Sequence, residues 1–322
     1  MKKLIKNIRI ILLVVLNKYI LRKPNFSEKN LFLQGKIIAN ANEKKDDIET
    51  LKDVEFSAFS QFGEDGIIDW IINKIPNIEK IFLEIGTQDY WESNTRFLLK
   101  SRNWKGYIFE GSKKDILKIK SQQIYWQNDL KAVHAFVDKE NINQLIKDHI
   151  QEKNIGLLSI DIDGNDYWIL DEIEDLSPSI IVCEFNSIFG DKFKLSVPYD
   201  KNFIKKDKHY SNLYFGSSIN AIVSLLEKKQ YFFLGTSSRG INAFFVKNEF
   251  KTFFSNKIKY IVKYPSKARE ALDQNGNKKY ENILKEKRYL ENLDVFDFDE
   301  NKIKKLSEYK ELYSEEWKKL LK

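Results

Sequence analysis

The feature of this sequence that most limits its fold is an alternation of short apolar runs with amphipathic stretches between about residues 56 and 247. The apolar runs have the length and composition of strands buried on both faces of a sheet. The stretches between them repeat apolar residues at helical spacing. This alternation predicts α/β units on a parallel sheet. We predict strands at 80–85, 106–110, 133–137, 156–162 and 179–185, and helices at 65–75, 94–102, 113–122, 142–151 and 167–176.

The last two apolar runs, 231–234 and 241–246, follow a predicted helix at 218–229 and are separated by only a short turn. Parallel strands need a crossover of about a dozen residues or more, so these two runs must pair antiparallel. Five parallel strands followed by a helix and an antiparallel hairpin outline the class I methyltransferase fold, a Rossmann-like α/β fold with a mostly parallel seven-stranded sheet. A dinucleotide-binding dehydrogenase has a similar outline, but its Gly-rich fingerprint is absent after the first strand.

The α/β region, residues 56–249, lies between two extensions, 1–55 and 250–322, and we predict that both are helical. In the C-terminal extension, Ile303, Leu306, Tyr309 and Tyr313 recur at helical spacing, and its interspersed charges predict a solvated face. We therefore expect a helical appendage after the α/β region.

The N-terminal extension carries the excess positive charge of the chain. Seven lysines and arginines in the first 24 residues account for the whole net charge of +7. Nucleic-acid binding requires a basic footprint on a folded face, so this distribution argues against a nucleic-acid partner. The apolar run 10–16 between the cations is too short for the ~20 residues of a spanning helix. Two interpretations remain: peripheral contact with an anionic membrane, or a helix packed on the protein's own core.

The single cysteine, Cys183, excludes a disulfide framework and fits a reducing compartment. A signal peptide is disfavoured, because the cleavage-like sequence Ala39-Asn40-Ala41 lies far beyond the apolar run. We expect a cytoplasmic protein, located at the inner face of the cytoplasmic membrane if the N-terminal helix binds lipid. Nothing in the sequence defines an oligomeric state.

Acidic residues follow the first two predicted strands, where an open α/β sheet places its ligand crevice. Glu84, Gly86 and Asp89 follow the first strand, and the glycine allows the backbone to approach a ligand closely. No Lys or Arg stands in this turn, so the acids suit a cofactor with a cationic end, such as S-adenosylmethionine. Glu110 ends the second strand, where it could accept both ribose hydroxyls. The alternatives are a capped strand–helix turn and a surface ion pair of Glu110.

The fourth and fifth strands also end in polar residues. Asp161, Asp163 and Asp166 follow one, and Glu184 and Asn186 follow the other. Clustered carboxylates repel one another unless a cation or hydrogen-bond donors compensate, and oxygen ligands favour Mg²⁺, Mn²⁺ or Ca²⁺. Two interpretations remain: a metal site of Asp161, Asp163, Glu184 and Asn186, or a metal-free polar floor that orients an acceptor.

A histidine lies in the long segment 186–215, whose length is typical of lids and binding loops. We predict His209, or a carboxylate of Asp161 or Asp163, as the general base for a hydroxyl acceptor. An exposed histidine without a catalytic role is the alternative.

Several ordered motifs together resemble one family. They are Ser60-Gln61-Phe62-Gly63-Glu64-Asp65-Gly66, Glu84-Ile85-Gly86 with Ser93-Asn94-Thr95, the segment 159–167, Glu184-Phe185-Asn186, and the segments 214–218 and 242–246. The set resembles the FkbM-like S-adenosylmethionine-dependent methyltransferases, especially a bacterial branch found in surface-polysaccharide and glycan loci. The resemblance covers about residues 57–247.

The resemblance implies a class I fold, S-adenosylmethionine as methyl donor and O-methylation of an acceptor, often a sugar. The cofactor-binding residues it implies are Glu84, Gly86 and Asp89 beside the methionine end, Asn94 in the following motif, Glu110 beneath the ribose, and Asp138 facing the adenine. Asp161 would border the transferred methyl group. The segment Thr87-Gln88-Asp89-Tyr90 departs from the family, because it lacks the second glycine of the common loop.

These observations lead to the hypothesis of an O-methyltransferase that acts on a sugar or glycan precursor in surface-polysaccharide biosynthesis. Two rival functions are a glycan-binding or scaffold protein on a lapsed methyltransferase fold, and a sugar-nucleotide transferase.

Overall fold

The computed structural model describes residues 26–321. The strands in this part of the chain are β1 (Ile81–Ile85), β2 (Lys105–Glu110), β3 (Leu130–His134), β4 (Asn154–Ile160), β5 (Ser177–Glu184), β6 (Leu195–Ser196), β7 (Tyr231–Thr236), β8 (Asn242–Lys247), β9 (Asp294–Asp297) and β10 (Lys302–Lys305). The α-helices are α1 (Phe26–Glu43), α2 (Glu64–Lys74), α3 (Arg96–Arg102), α4 (Lys113–Ser121), α5 (Gln123–Gln127), α6 (Ile142–His149), α7 (Asp166–Glu172), α8 (Lys205–Lys208), α9 (Ile219–Lys228), α10 (Lys251–Ser255), α11 (Ile283–Glu286) and α12 (Glu315–Leu320).

The main sheet has seven strands in the order β3-β2-β1-β4-β5-β8-β7. The first five strands pair in parallel, β8 pairs antiparallel with β5, and β7 pairs antiparallel with β8. This arrangement is the class I methyltransferase fold, as predicted. The predicted third strand was placed three residues too late, since β3 ends at His134 rather than at Val137.

Alternate residues along each central strand point to opposite faces of the main sheet and fill two apolar cores. Phe82 and Leu157 are neighbours in one core, and Leu83 and Leu158 are neighbours in the other. All four side chains are at most 1% exposed. The continuous apolar runs of the sequence reflect this burial on both faces.

The prediction of a helical appendage over 250–322 is wrong in most of its length. β9 and β10 form a three-stranded sheet with β6, in the order β10-β9-β6. Ile303 lies on a strand and is exposed, while Leu306 lies in a short 3-10 turn. Pairing of Ile303 with Phe296 in the β9–β10 hairpin, and of β9 with β6, outweighs the local helical spacing of these residues.

The C-terminal segment shares a core with the α/β region. Tyr313 and Trp317 are buried in the same apolar cluster as Leu83 and Leu158. The Tyr313 hydroxyl donates to the Ile188 carbonyl at 2.9 Å, and the Trp317 indole N–H donates to the Lys263 carbonyl at 2.6 Å. The segment is thus an integral part of one folded unit.

The described part of the N-terminal extension begins with α1, in agreement with the helical prediction. Glu28 on this helix forms ion pairs with Arg96 at 3.0 Å and with Lys100 at 2.7 Å. Residues 1–24, to which the membrane prediction applies, lie outside the described residues. Among residues 26–321, no helix combines the length and apolar character needed to cross a membrane.

Candidate functional site

A cavity of about 700 Å³ opens at the carboxyl-terminal edge of the main sheet, bordered by residues at or just beyond the ends of β1 to β5. Its volume lies within the ~300–1,000 Å³ typical of small-molecule sites. Of the described residues that line it, ten carry carboxyl groups and one, Lys205, carries a cationic group. The ten are Glu64, Glu84, Asp89, Glu92, Glu110, Asp161, Asp163, Glu184, Glu270 and Glu286.

Glu84, at the end of β1, lies in the cavity wall and is held by the loop that follows. Its carboxylate accepts hydrogen bonds from the Ser93 hydroxyl at 2.7 Å, from the Thr95 hydroxyl and from the Asn94 backbone N–H at 3.0 Å. Burial raises the pKa of Glu84. The Asn94 side chain donates to the Ser159 hydroxyl at 3.1 Å and so links β1 to β4. Both residues predicted here from the sequence therefore lie at the cavity.

Glu110, at the end of β2, holds the loop that lacks the second glycine. One carboxylate oxygen accepts from the backbone N–H groups of Thr87 at 3.0 Å and Gln88 at 2.8 Å, and the other from that of Ser112 at 2.7 Å. Gln88 has a φ of 50°, a left-handed conformation that the first two of these bonds help to fix. With three of about four acceptor positions filled, Glu110 can accept one ribose hydroxyl rather than two.

Position 86 requires a glycine because the loop after β4 passes close to it, rather than because a ligand does. Its φ is +82°, and a Cβ atom at this position would lie 1.8 Å from the Asp161 carbonyl oxygen. The glycine therefore allows the loops after β1 and β4 to meet. Asp89, further along the loop, also borders the cavity and forms an ion pair with Lys118 at 3.3 Å.

Asp161 and Glu184 form a carboxyl pair on the cavity floor, with carboxylate oxygens within 4.8 Å of each other. Burial raises the pKa of both groups, and the pKa of Asp161 is raised further by the charges of Asp163 and Asp166. One Glu184 oxygen, Oε2, is buried without a hydrogen-bond partner. Burial and proximity of two carboxyl groups both favour retention of a proton between them, and the monoanion of such a pair can accept another proton.

Lys205 extends from the long segment after β5 over this carboxyl pair. Its ammonium group forms an ion pair with Asp163 at 2.5 Å and lies 3.7 Å from the centre of the Phe215 ring. The charges of Asp163 and Glu184 raise the pKa of Lys205 against the opposing effect of its burial. Lys205 thus remains charged and compensates part of the acidic floor. No motif in the sequence marks Lys205 as a site residue.

Two predicted site residues lie outside the cavity lining. Asp138 follows the end of β3 by four residues, and its carboxylate accepts from the Asn141 backbone N–H at 2.8 Å and pairs with Lys201 at 3.5 Å. The late placement of the third strand explains this error, and Phe136 lines the cavity instead. His209 bonds to the Ser211 hydroxyl at 2.7 Å through Nδ1, and burial lowers its pKa. The structure therefore does not support a catalytic role for His209.

The predicted metal-ligand set does not fit the structure. The Asn186 side-chain oxygen accepts from the Ile188 backbone N–H at 3.0 Å, and its amino group donates to two carbonyl oxygens. Asp163 is paired with Lys205. Asp161, Asp166 and Glu184 do place carboxylate oxygens within 4.8 Å of one another. Asp166, however, accepts from the backbone N–H groups of Ile162 at 2.8 Å and Gly164 at 3.0 Å. No catalytic step is therefore assigned to a metal.

Four further residues of the cavity lining are not predicted as site residues from the sequence. Glu64 and Asn242 meet at the cavity through a hydrogen bond of 3.1 Å, and the side-chain oxygen of Asn242 has no partner. Both occur in motifs used for the family resemblance, which was the available signal. Glu270 and Glu286 belong to the C-terminal segment, and no motif distinguishes them.

Comparison with known proteins identified no matching family model and no matching curated protein. Solved structures with a similar fold include an O-methyltransferase from Bacillus cereus in complex with SAH, at 16% identity and a TM-score of 0.37, covering 72% of this chain and 97% of that one. A putative O-methyltransferase from Klebsiella pneumoniae has 10% identity and a TM-score of 0.38, with 72% and 96% covered. At these values the likeness assigns neither a reaction nor a substrate to this chain.

Proposed function

We propose that this chain is an S-adenosylmethionine-dependent O-methyltransferase. The observation that carries the proposal is an acidic cavity at the carboxyl edge of a class I methyltransferase sheet, with Lys205 as the one cationic residue of its described lining. Such a cavity has a negative potential that attracts a sulfonium and an ammonium group. The same potential repels a nucleoside diphosphate, which argues against a sugar-nucleotide transferase.

The residues that would hold S-adenosylmethionine lie at or just beyond the ends of β1 to β3. Glu84, Asp89 and Asn94 would surround its methionine end, Glu110 would accept one ribose hydroxyl, and Phe136 would form an apolar wall for the base. When bound, S-adenosylmethionine supplies a methyl group on a positively charged sulfur. These residues fit, because the carboxylates of Glu84 and Glu110 have no cationic partner within the described lining, while Asp89 pairs with Lys118, which lies outside it.

The proton of the acceptor hydroxyl would pass to the Asp161–Glu184 pair. The monoanion of the pair would hold this proton once the acceptor oxygen has taken the methyl group, and the electrons of the broken methyl–sulfur bond would remain on the sulfur of S-adenosylhomocysteine. Lys205 would stabilise the remaining negative charge of the floor through its pairing with Asp163. This assignment replaces His209 as the general base.

We also propose a glycan acceptor, as in the surface-polysaccharide branch that the motifs resemble. Unpartnered hydrogen-bonding atoms of the cavity lining support this part of the proposal. Oxygen atoms of Asn165, Glu184, Asn242 and Glu286, all residues of the cavity lining, are buried without partners. They can accept bonds from several hydroxyl or amino groups, which a sugar presents. We further propose a location at the cytoplasmic membrane face, supported by the basic N-terminal sequence.

Calorimetric titration with S-adenosylmethionine, S-adenosylhomocysteine and uridine diphosphate tests the reaction class. We expect the first two to bind with one site per chain and the third not to bind. Asp161→Asn should leave S-adenosylhomocysteine binding within a few-fold of the parent protein but abolish methyl transfer. No binding of either methionine-derived ligand at millimolar concentration would remove the proposal, and tight binding of the diphosphate would favour the sugar-nucleotide transferase. A protein that binds both methionine-derived ligands but transfers no methyl group would fit the scaffold rival.

A further inference from the structure

Part of the cavity wall is built by the segment 266–286, which lies beyond the α/β region. Ser266, Ala268 and Glu270 contribute from its extended part, and Ile283 and Glu286 contribute from α11. This wall is separate from the strand ends β1 to β3 that would hold the cofactor. It therefore belongs to the part of the cavity available to an acceptor.

Glu286 is a buried acid without a sufficient partner. The residue is 1% exposed, and its Oε1 atom has no hydrogen-bond partner. Its nearest named charges are mainly of like sign, Glu270 and Glu281, with Arg269 as the opposing charge. A buried carboxyl group left in this state costs free energy, which a bound donor can recover.

Glu270 connects this wall to the reacting end of the cavity. Its charge acts on Glu286 and also on Lys205, which itself pairs with Asp163 above the carboxyl pair. A group bound between Glu270 and Glu286 would thus lie in the same chamber as Asp161 and Glu184. Sugar-sized molecules can reach both ends, since all six residues line one cavity.

We propose that the acceptor carries a protonated primary amine beside its hydroxyl groups, and that Glu286 binds this amine together with Glu270. An amino sugar belongs to this chemical class. The proposal rests on the proposed function, because it assigns the acceptor of that reaction. The ammonium group would donate to the unpartnered Oε1 of Glu286 and would add positive charge beside the two acidic side chains of the wall.

Other acceptor classes match this wall less well. A phosphate or carboxylate group would face Glu270 and Glu286 with the same sign of charge, which is unfavourable at short range. A neutral hydroxyl group would satisfy one oxygen of Glu286 but leave its charge uncompensated. A charge-assisted bond is about twice as strong as a neutral one, so the amine is the favoured partner.

The test compares matched pairs of sugars on the full chain loaded with S-adenosylhomocysteine. Binding of glucosamine and glucose, of galactosamine and galactose, and of glucuronate is measured by saturation-transfer NMR competition at pH 7.5. We expect at least one amino sugar to bind about tenfold more tightly than its neutral parent, and glucuronate to bind more weakly than glucose.

Two variants test whether the amino-sugar preference arises at the wall built by the segment 266–286. Glu286→Gln should remove most of the amino-sugar preference, and Glu270→Gln, at an exposed position, should reduce it in part. Glu172→Gln removes the same charge at an exposed position outside the cavity lining and should leave the preference unchanged. Thermal unfolding and binding of S-adenosylhomocysteine show whether each variant is folded.

The outcomes separate this proposal from the reaction class. Equal binding of amino and neutral sugars, no sugar binding, or a preference that survives both wall variants would overturn the amine proposal. If S-adenosylhomocysteine still binds in those cases, the proposed function stands. If S-adenosylhomocysteine itself does not bind, the proposed function fails first. Should Glu286→Gln not fold, a preference undiminished in Glu270→Gln would overturn the amine proposal.

Discussion

The Asp161–Glu184 pair has the environment expected of a group that changes its charge near neutral pH. Burial is the largest cause of the raised pKa of Asp161, followed by the charges of Asp163 and Asp166. A carboxyl group with a raised pKa takes up its proton as the pH falls through that value, so the negative charge of the floor decreases on acidification. The affinities of ligands that differ in charge should therefore depend differently on pH.

We expect the affinity ratio of S-adenosylmethionine to S-adenosylhomocysteine to fall as the pH is lowered from 9 to 6. The two ligands differ by the sulfonium charge, which loses its attraction to the floor on protonation. In Asp163→Asn, one cause of the raised pKa is gone and Lys205 is unpaired, so the midpoint of the change should move to lower pH. Calorimetry across this range measures the ratio. A pH-independent ratio would contradict the assignment of these acids to the methyl-transfer end.

The sequence was informative about residues at strand ends and uninformative about residues from distant segments. Glu84, Glu110, Asp161 and Glu184 were predicted correctly as cavity residues, because a parallel strand delivers its last residues to a known edge of the sheet. Lys205 could not be predicted, since its position depends on how the segment after β5 folds back over the cavity. Asp138 lies outside the cavity lining for a local reason, because β3 ends at His134, before the predicted end of the strand.

At the level of the secondary-structure elements, the meeting of the loops after β1 and β4 is the tightest contact of the site. The Gly86 Cα is so close to the Asp161 carbonyl that any side chain would displace one of the two loops. Asp161 belongs to one of these loops, and Glu84 lies on β1 two residues before Gly86. Their spacing therefore determines the width of the cavity floor.

Gly86→Ala should lower the free energy of unfolding by about 2 kcal/mol or more and weaken S-adenosylhomocysteine binding at least tenfold. The new methyl group both overlaps the Asp161 carbonyl and strains the positive φ of 82°. Gly111→Ala is the matched control for stability, because its nearest neighbour is the Phe136 side chain at 3.3 Å, and Phe136 is 49% exposed. Chemical denaturation measures both variants. A Gly86→Ala protein as stable as Gly111→Ala would show that the loops can separate freely.

Element prediction succeeded for the main sheet and failed for the three-stranded sheet. The main strands are buried on both faces and read as continuous apolar runs. β9 and β10 have four residues each, and β10 is mostly exposed, so they carry no comparable apolar pattern. The pairing of β9 with β6 joins segments about one hundred residues apart, which no local signal in one sequence can specify.

For the molecule as a whole, the α/β region and the C-terminal segment depend on each other. Tyr313 and Trp317 are 3% and 1% exposed within the larger core cluster. We expect a chain truncated after residue 249 to lose its cooperative thermal transition and its near-ultraviolet circular dichroism, because the cluster would be opened to water. A truncated protein with native-like spectra and a sharp transition would show that the region 56–249 folds on its own.

The proposed membrane contact is a property of the basic N-terminal sequence. Deletion of residues 1–24 should abolish sedimentation with vesicles that contain anionic lipid, while sedimentation of the parent protein should decrease as salt is raised. Neutral vesicles provide the control. Equal sedimentation of the two proteins would contradict the membrane proposal and favour packing of the segment on the protein itself.

The dependence of the cavity on its C-terminal wall also has a consequence for biosynthesis. A nascent chain that has emerged only as far as β8 lacks Glu270, Glu286 and the aromatic side chains that secure them. Its acidic floor would face solvent without this wall. We therefore expect ligand capture to begin only once the segment that carries Glu270 and Glu286 has folded against the main sheet.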